Sequence, residues 1–162
     1  MFFLKHQLKK IIMKHFLILF VLLAMGCRLS AQQNDLPLKR PADFTLTFRF
    51  DGGMSYHFEK INITSDSCMY EQNSKGHIIL RRFKLSEAGL NNLYAMLQQN
   101  QFTQIVFSSA GHVHDRGGIS IAIGWDNNLH HYTVIDSGSS FVASDWKYRW
   151  MKICDYVKKL TL

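Results

Sequence analysis

The chain has 162 residues, of which 47% are hydrophobic, and a formal charge of +7; this length suits a short export segment and one domain. Lys5, Lys9, Lys10, Lys14 and Arg28 all precede Ala31 with no acid among them, which leaves 14 Lys and Arg against 12 Asp and Glu, a charge of +2. A domain this near neutrality carries no electrostatic footprint for nucleic acid.

In chain order, Lys14 and His15 lead into the apolar run from Phe16 to Met25, and small and polar residues follow up to Ala31. A positive head, an apolar core and a small-residue exit are the parts of a secretory signal peptide over residues 1–31. The run falls short of the roughly 20 apolar residues that span a bilayer. Met13 offers a second start, which would make residues 1–12 an extension. Two processing readings stand. Cleavage after Leu29-Ser30-Ala31 leaves a soluble chain beginning at Gln32, and that ending resembles the signal peptides of Bacteroidetes-type bacteria. Alternatively, Leu23-Ala24-Met25-Gly26-Cys27 resembles a lipobox, which would lipidate Cys27 and anchor the protein in a membrane. Both predict export, to the periplasm or beyond in the first case and to a membrane surface in the second.

Residues 32–43 are polar, hold Pro37 and Pro41, and are expected to form a linker ahead of a single domain over residues 44–162. Phe44, Leu46, Phe48 and Phe50 alternate with polar residues as in a strand buried on one face. Asp51-Gly52-Gly53 is turn chemistry, and a return strand follows through Tyr56 and Phe58. The apolar phase then slips to Ile61 and Ile63, which predicts a bulge or twist near Glu59 and Lys60. Turns at Ser65 to Ser67 and at Asn73 to Gly76 bracket a third strand and introduce a fourth, Ile78 to Phe83.

Ser86 is placed to N-cap a helix, with Glu87 at its positive end. Leu90, Leu93, Tyr94 and Leu97 form its buried stripe. Phe102, Ile105, Val106 and Phe107 return the chain to the core. Ile119, Ile121 and Ile123 then make a fifth strand, and a turn at Asp126 to Asn128 sends back a sixth. A closing helix begins near Ser144 or Asp145, with Trp146, Trp150, Ile153, Cys154, Val157 and Leu160 on one stripe. The order ββββαββα predicts an α+β domain, an antiparallel sheet of about six strands with two helices on one face.

The paired-strand start, Leu85-Ser86-Glu87 at a helix opening, Asp115 ahead of a late hairpin and the terminal helix together resemble small uncharacterised bacterial exported or lipoprotein domains. The resemblance covers Phe44 to Leu160. It implies export and a single α+β unit, and it carries no activity. Members of that type often hold paired cysteines near the first strand, which this chain lacks.

Four of the six histidines after Ala31 lie between Ala110 and Ile135. On an extended segment His112 and His114 would point the same way, and Asp115 could supply a third ligand to zinc. His130 or His131 could complete the set across the hairpin, only one of that adjacent pair facing the same side. The string partly resembles the His-x-His-x-Asp-His motif of metallo-β-lactamase-type hydrolases, but Arg116 and Gly117 stand where the second Asp-His step belongs, and the domain is too short for that fold. The competing reading is of polar loop residues, with Asp115 capping a turn ahead of Gly117-Gly118.

Cys68 and Cys154 are an even pair in an oxidising compartment, which admits a disulfide, or else two buried thiols packed as small hydrophobes. Neither has an activating context for nucleophilic catalysis. Arg81, Arg82 and Lys84 form either an anion patch or a charged strand edge that discourages pairing. Trp146, Tyr148 and Trp150 would offer a carbohydrate platform if exposed, although two of them fit the core stripe. With no coherent catalytic set, the expectation is a non-enzymatic exported domain that binds an envelope protein or surface component. The alternatives are a small metal-binding protein or metal-dependent hydrolase, and a structural lipoprotein anchored through Cys27.

Overall fold

Strand β1 (Thr45–Asp51) ends up in the middle of the sheet because its inward residues Leu46 and Phe48 are apolar enough to be covered on both flanks. The computed structural model describes residues 36–109, 113 and 115–161, excepting the side chains of Ser55 and Ser109. The compact unit runs from Leu36 to Leu162. Its six-stranded antiparallel sheet has the order β4-β3-β2-β1-β6-β7, with β2 His57–Ile63, β3 Cys68–Ser74, β4 His77–Phe83, β6 Gly118–Trp125 and β7 His130–Asp136. Two short strands, β5 (Phe107–Ser109) and β8 (Ser140–Val142), pair with each other separately. Helix α1 (Glu87–Gln99) follows β4, and helix α2 (Ser144–Lys159) closes the chain. This is the α+β architecture that the alternation pattern predicts.

Register explains the single core. Leu46 lies between Ile63 and Ile123, and Phe48 between Ile61 and Ile121, so one parity across neighbouring strands forms a continuous apolar surface. Val134 on β7 and Cys68 on β3 extend it. Leu90, Leu93, Tyr94 and Leu97 of α1 and Trp150, Ile153, Cys154 and Val157 of α2 cover that face. Each such buried Leu, Ile or Phe contributes about 2 kcal/mol relative to an exposed one. Ser86 accepts a hydrogen bond from the Gly89 amide at 3.1 Å, capping α1 as its sequence predicts.

Three expectations are corrected, and one of two open readings is selected. The polar segment before β1 is docked, not a free tether, from Leu36 onward: the Tyr94 hydroxyl and the Gln98 amide donate to the Pro37 carbonyl at 2.9 and 2.7 Å, and Arg40 reaches Asn91 and Glu87. Strand β2 carries no bulge, since its register with β1 is unbroken from Leu46↔Ile63 to Asp51↔Phe58. The apolar phase slips because Phe58 faces away from the helices while His57 and Glu59 take the helix-side face. Val106 and Phe107 are exposed, because that segment turns outward to pair with β8. Finally, Cys68 and Cys154 are free thiols, both buried, each serving the core as a small apolar group. Among the described residues no helix is long and apolar enough to cross a membrane.

Candidate functional site

The hairpin joining β3 to β4 turns at Lys75 and Gly76, whose φ values of 52° and 87° are the left-handed pair of a type I′ turn. Asn73 stabilises it by accepting from the Gly76 amide at 3.1 Å. Gly76 meets the steric demand of φ +87° without strain. The turn launches β4 along the outside of the sheet, where it has β3 on one side and, among the described residues, no strand on the other.

That placement conflicts with the composition of β4. Ile78, Ile79 and Leu80 are 66%, 54% and 57% exposed, although they form the most apolar run of any edge in the sheet. Ile78 and Leu80 lie opposite Asn73 and Glu71 on the face away from the helices, and Ile79 lies opposite Gln72 on the other. An unpaired edge of seven residues with aliphatic side chains on both faces is a template for another strand. Arg81 is already engaged, donating to the Thr161 carbonyl and lying 5.3 Å from the Tyr70 ring centroid. Arg82 and Lys84 are exposed and form no ion pair among the described residues. The expected anion patch is thus one braced guanidinium and two free cations beside an apolar strip.

A cleft of about 760 Å³ opens at the turn end of the same hairpin, lined by Arg49, Asp51, Tyr56, Phe58, Asn73 and Lys75 among others. Tyr56 is almost wholly exposed with φ +48°, a left-handed conformation that costs a non-glycine residue about 1 kcal/mol. Gly53 and Gly117 lock this turn to the loop before β6: a Cβ on Gly53 would lie 2.5 Å from the Asp115 carbonyl oxygen, and one on Gly117 would strike the Asp51 carbonyl.

The histidine cluster divides. His112 and His114 lie outside the described residues. Asp115 is exposed, with φ +58°, at the end of the β6–β7 hairpin where Gly118 begins and Asp136 finishes. His130 pairs with Trp125 at the other end. Seven residue steps along β6 at about 3.3 Å each separate the two ends by roughly 23 Å. His130 stacks on Trp125 at 5.3 Å, and His131, on the opposite face, meets the Thr133 hydroxyl at 2.8 Å. Asp115, His130 and His131 therefore do not converge on one zinc ion. Among the described residues no group of three His, Cys, Asp or Glu side chains is placed to hold a metal.

The β7 end instead carries an ionic cluster that the sequence reading missed. Asp136 is buried and accepts from Arg116 at 2.7 Å and from Lys147. Burial pushes its carboxyl upward, but hydrogen bonds from Lys147 and Arg116, with their charges, outweigh this and hold it below the usual carboxylate value. Arg116 also donates to the Ser140 carbonyl at 3.1 Å and lies 4.0 Å from the Phe141 ring centroid. These contacts fasten loop, strand and helix together, which is a structural task. Elsewhere, burial pushes the Cys154 thiol far up, so it supplies no nucleophile. Trp150 is wholly buried, Trp146 packs against the core, and Tyr148 is exposed beneath Lys152, so the three aromatics form no common platform. Compared with known proteins, the chain matches no family model and no curated relative.

Proposed function

We propose that the chain is an exported domain of the bacterial envelope that acts by binding, without catalysis, and that the β4 edge is its binding surface. The observation that carries this is the run Ile78-Ile79-Leu80, more than half exposed on an edge with unpaired backbone groups. Exposed runs of this kind mark interaction sites or aggregation sites, and a secreted domain retains one where a partner covers it. The leader from Lys14 to Ala31 supports export, and the layout resemblance to small bacterial exported domains points the same way. The partner is then an envelope protein or surface component, met by a soluble chain starting at Gln32 or by one anchored through Cys27.

A photo-crosslinking amino acid placed at residue 78, and in a second strain at residue 129, tests this in the producing bacterium. Leu129 is more exposed still but sits in the turn between β6 and β7. The expected result is a discrete adduct from residue 78 and none from residue 129. Equal labelling at both, or none at residue 78, overturns the reading.

A further inference from the structure

We infer that the β4 edge takes an extended segment of another protein as a seventh strand, with aliphatic side chains against Ile78 and Leu80 and a carboxylate against Arg82. This rests on the binding reading above and specifies its partner's chemistry. The type I′ turn fixes which backbone groups are free. In such a hairpin the residues flanking the turn, Ser74 and His77, form the first hydrogen-bonded pair, and bonded pairs recur at every second residue. His77, Ile79, Arg81 and Phe83 therefore spend their amides and carbonyls on β3. Ile78, Leu80 and Arg82 point theirs outward, and their side chains share the face away from the helices.

Charge selects the occupant. From residue 72 to residue 86 there is no acid, while Lys75, Arg81, Arg82 and Lys84 are all basic. Glu71 shares the outer face but stands opposite Leu80 and forms no ion pair with Arg82 among the described residues. Antiparallel pairing of two copies about Ile79 would set Arg82 of one against the Lys75–Gly76 turn of the other. Pairing about Leu80 would set Arg82 of each copy opposite Ile78 of the other, and pairing about Arg81 would bring the four arginines together. None of these registers gives Arg82 a carboxylate, and like charges across a strand pair are destabilising, so a second copy is disfavoured and an acidic strand favoured. An incoming strand running antiparallel would read, from its amino end, acid, any residue, then three aliphatics, opposite residues 82 to 78.

The test uses the processed exported chain and the blocked peptide Thr-Glu-Thr-Val-Ile-Val-Thr, whose glutamate falls opposite Arg82 and whose two valines fall opposite Leu80 and Ile78. Fluorescence anisotropy should show it binding about tenfold more tightly than its Glu-to-Lys counterpart. Arg82→Glu, its fold checked by circular dichroism, should reverse that preference. N-methylation of the two valines removes amides that face β4 and should abolish binding, whereas N-methylation of the isoleucine, which faces away, should not. If both peptides bind equally and only valine methylation matters, the acidic partner is overturned and the edge survives. Binding indifferent to methylation, or no binding, overturns both. Concentration-dependent dimerisation that protects the amides of residues 78, 80 and 82 makes the occupant a second copy and overturns the inference.

Discussion

The two edges of the sheet are finished differently. At β7 the Asp136 carboxylate is buried between Arg116 and Lys147, the Ser140 hydroxyl donates to the Ile135 carbonyl, and β8 runs on directly to pair with β5. At β4 the ties beyond β3 are fewer: Arg81 reaches Thr161, just past α2, and Phe83 packs against the core. One edge is closed by charge and short strands, while the other leaves three aliphatic side chains in water. Natural sheets blunt exposed edges with charges, and here Arg82 and Lys84 flank the run without interrupting it. The contrast places an ionic brace at β7 and an open apolar edge at β4.

The largest expected effect breaks the closed edge. Asp136→Ala leaves Arg116 and Lys147 facing each other without a counter-charge, and urea titration should show a loss of about 2 to 3 kcal/mol, the lower figure reflecting the exposure of Lys147. A pH series sharpens the same point. The folded Asp136 carboxyl has a pKa below the unfolded value of 3.8, so its contribution is present above that value and is lost as pH falls through the depressed one. Asp136→Asn should lack this acid limb, which parallel urea titrations at descending pH would reveal. A smaller effect belongs to the turn that launches β4. Gly76→Ala forces an L residue into φ +87° and should cost about 1 kcal/mol, with faster amide exchange through residues 77–83. The smallest effect is at the open edge, where the double variant Ile78→Thr and Leu80→Thr should shift stability by less than about 0.5 kcal/mol. A large loss there would mean that β4 supports the fold, and the contrast between the edges would fail.

Much of the fold is legible because its periodicities are clean. Leu46 and Phe48, Ile121 and Ile123, and the helical stripes from Leu90 and Trp150 each specify an element and its buried side. What escapes depends on distance between strands. Ile78-Ile79-Leu80 has the pattern of a strand covered on both faces, and only the order β4-β3-β2-β1-β6-β7 reveals that it lies outermost. The short pair β5 and β8 has too few residues for a period to show. The zinc expectation added His130 or His131 to His112, His114 and Asp115 across the hairpin, which takes the start of β7 to lie beside the start of β6. A tight turn at Asp126 to Asn128 brings His130 back to Trp125, so the start of β6 and the start of β7 lie at opposite ends. Asp136 went unnoticed because its cations, Arg116 and Lys147, come from either side of the hairpin and meet only after folding.

The place of β1 bears on how the protein is made. Strands β1 to β4 can zip together by local turns as soon as they emerge, but Leu46, paired with Ile63, finds its second partner only when Ile123 arrives. Until then the hairpin stack exposes two sticky margins, β1 as well as β4, and ordering the long intervening segment must precede its reward. A nascent chain therefore passes through a stage in which β1 as well as β4 is open to strand pairing. Completion of synthesis hides one of these margins and leaves the other available for recognition.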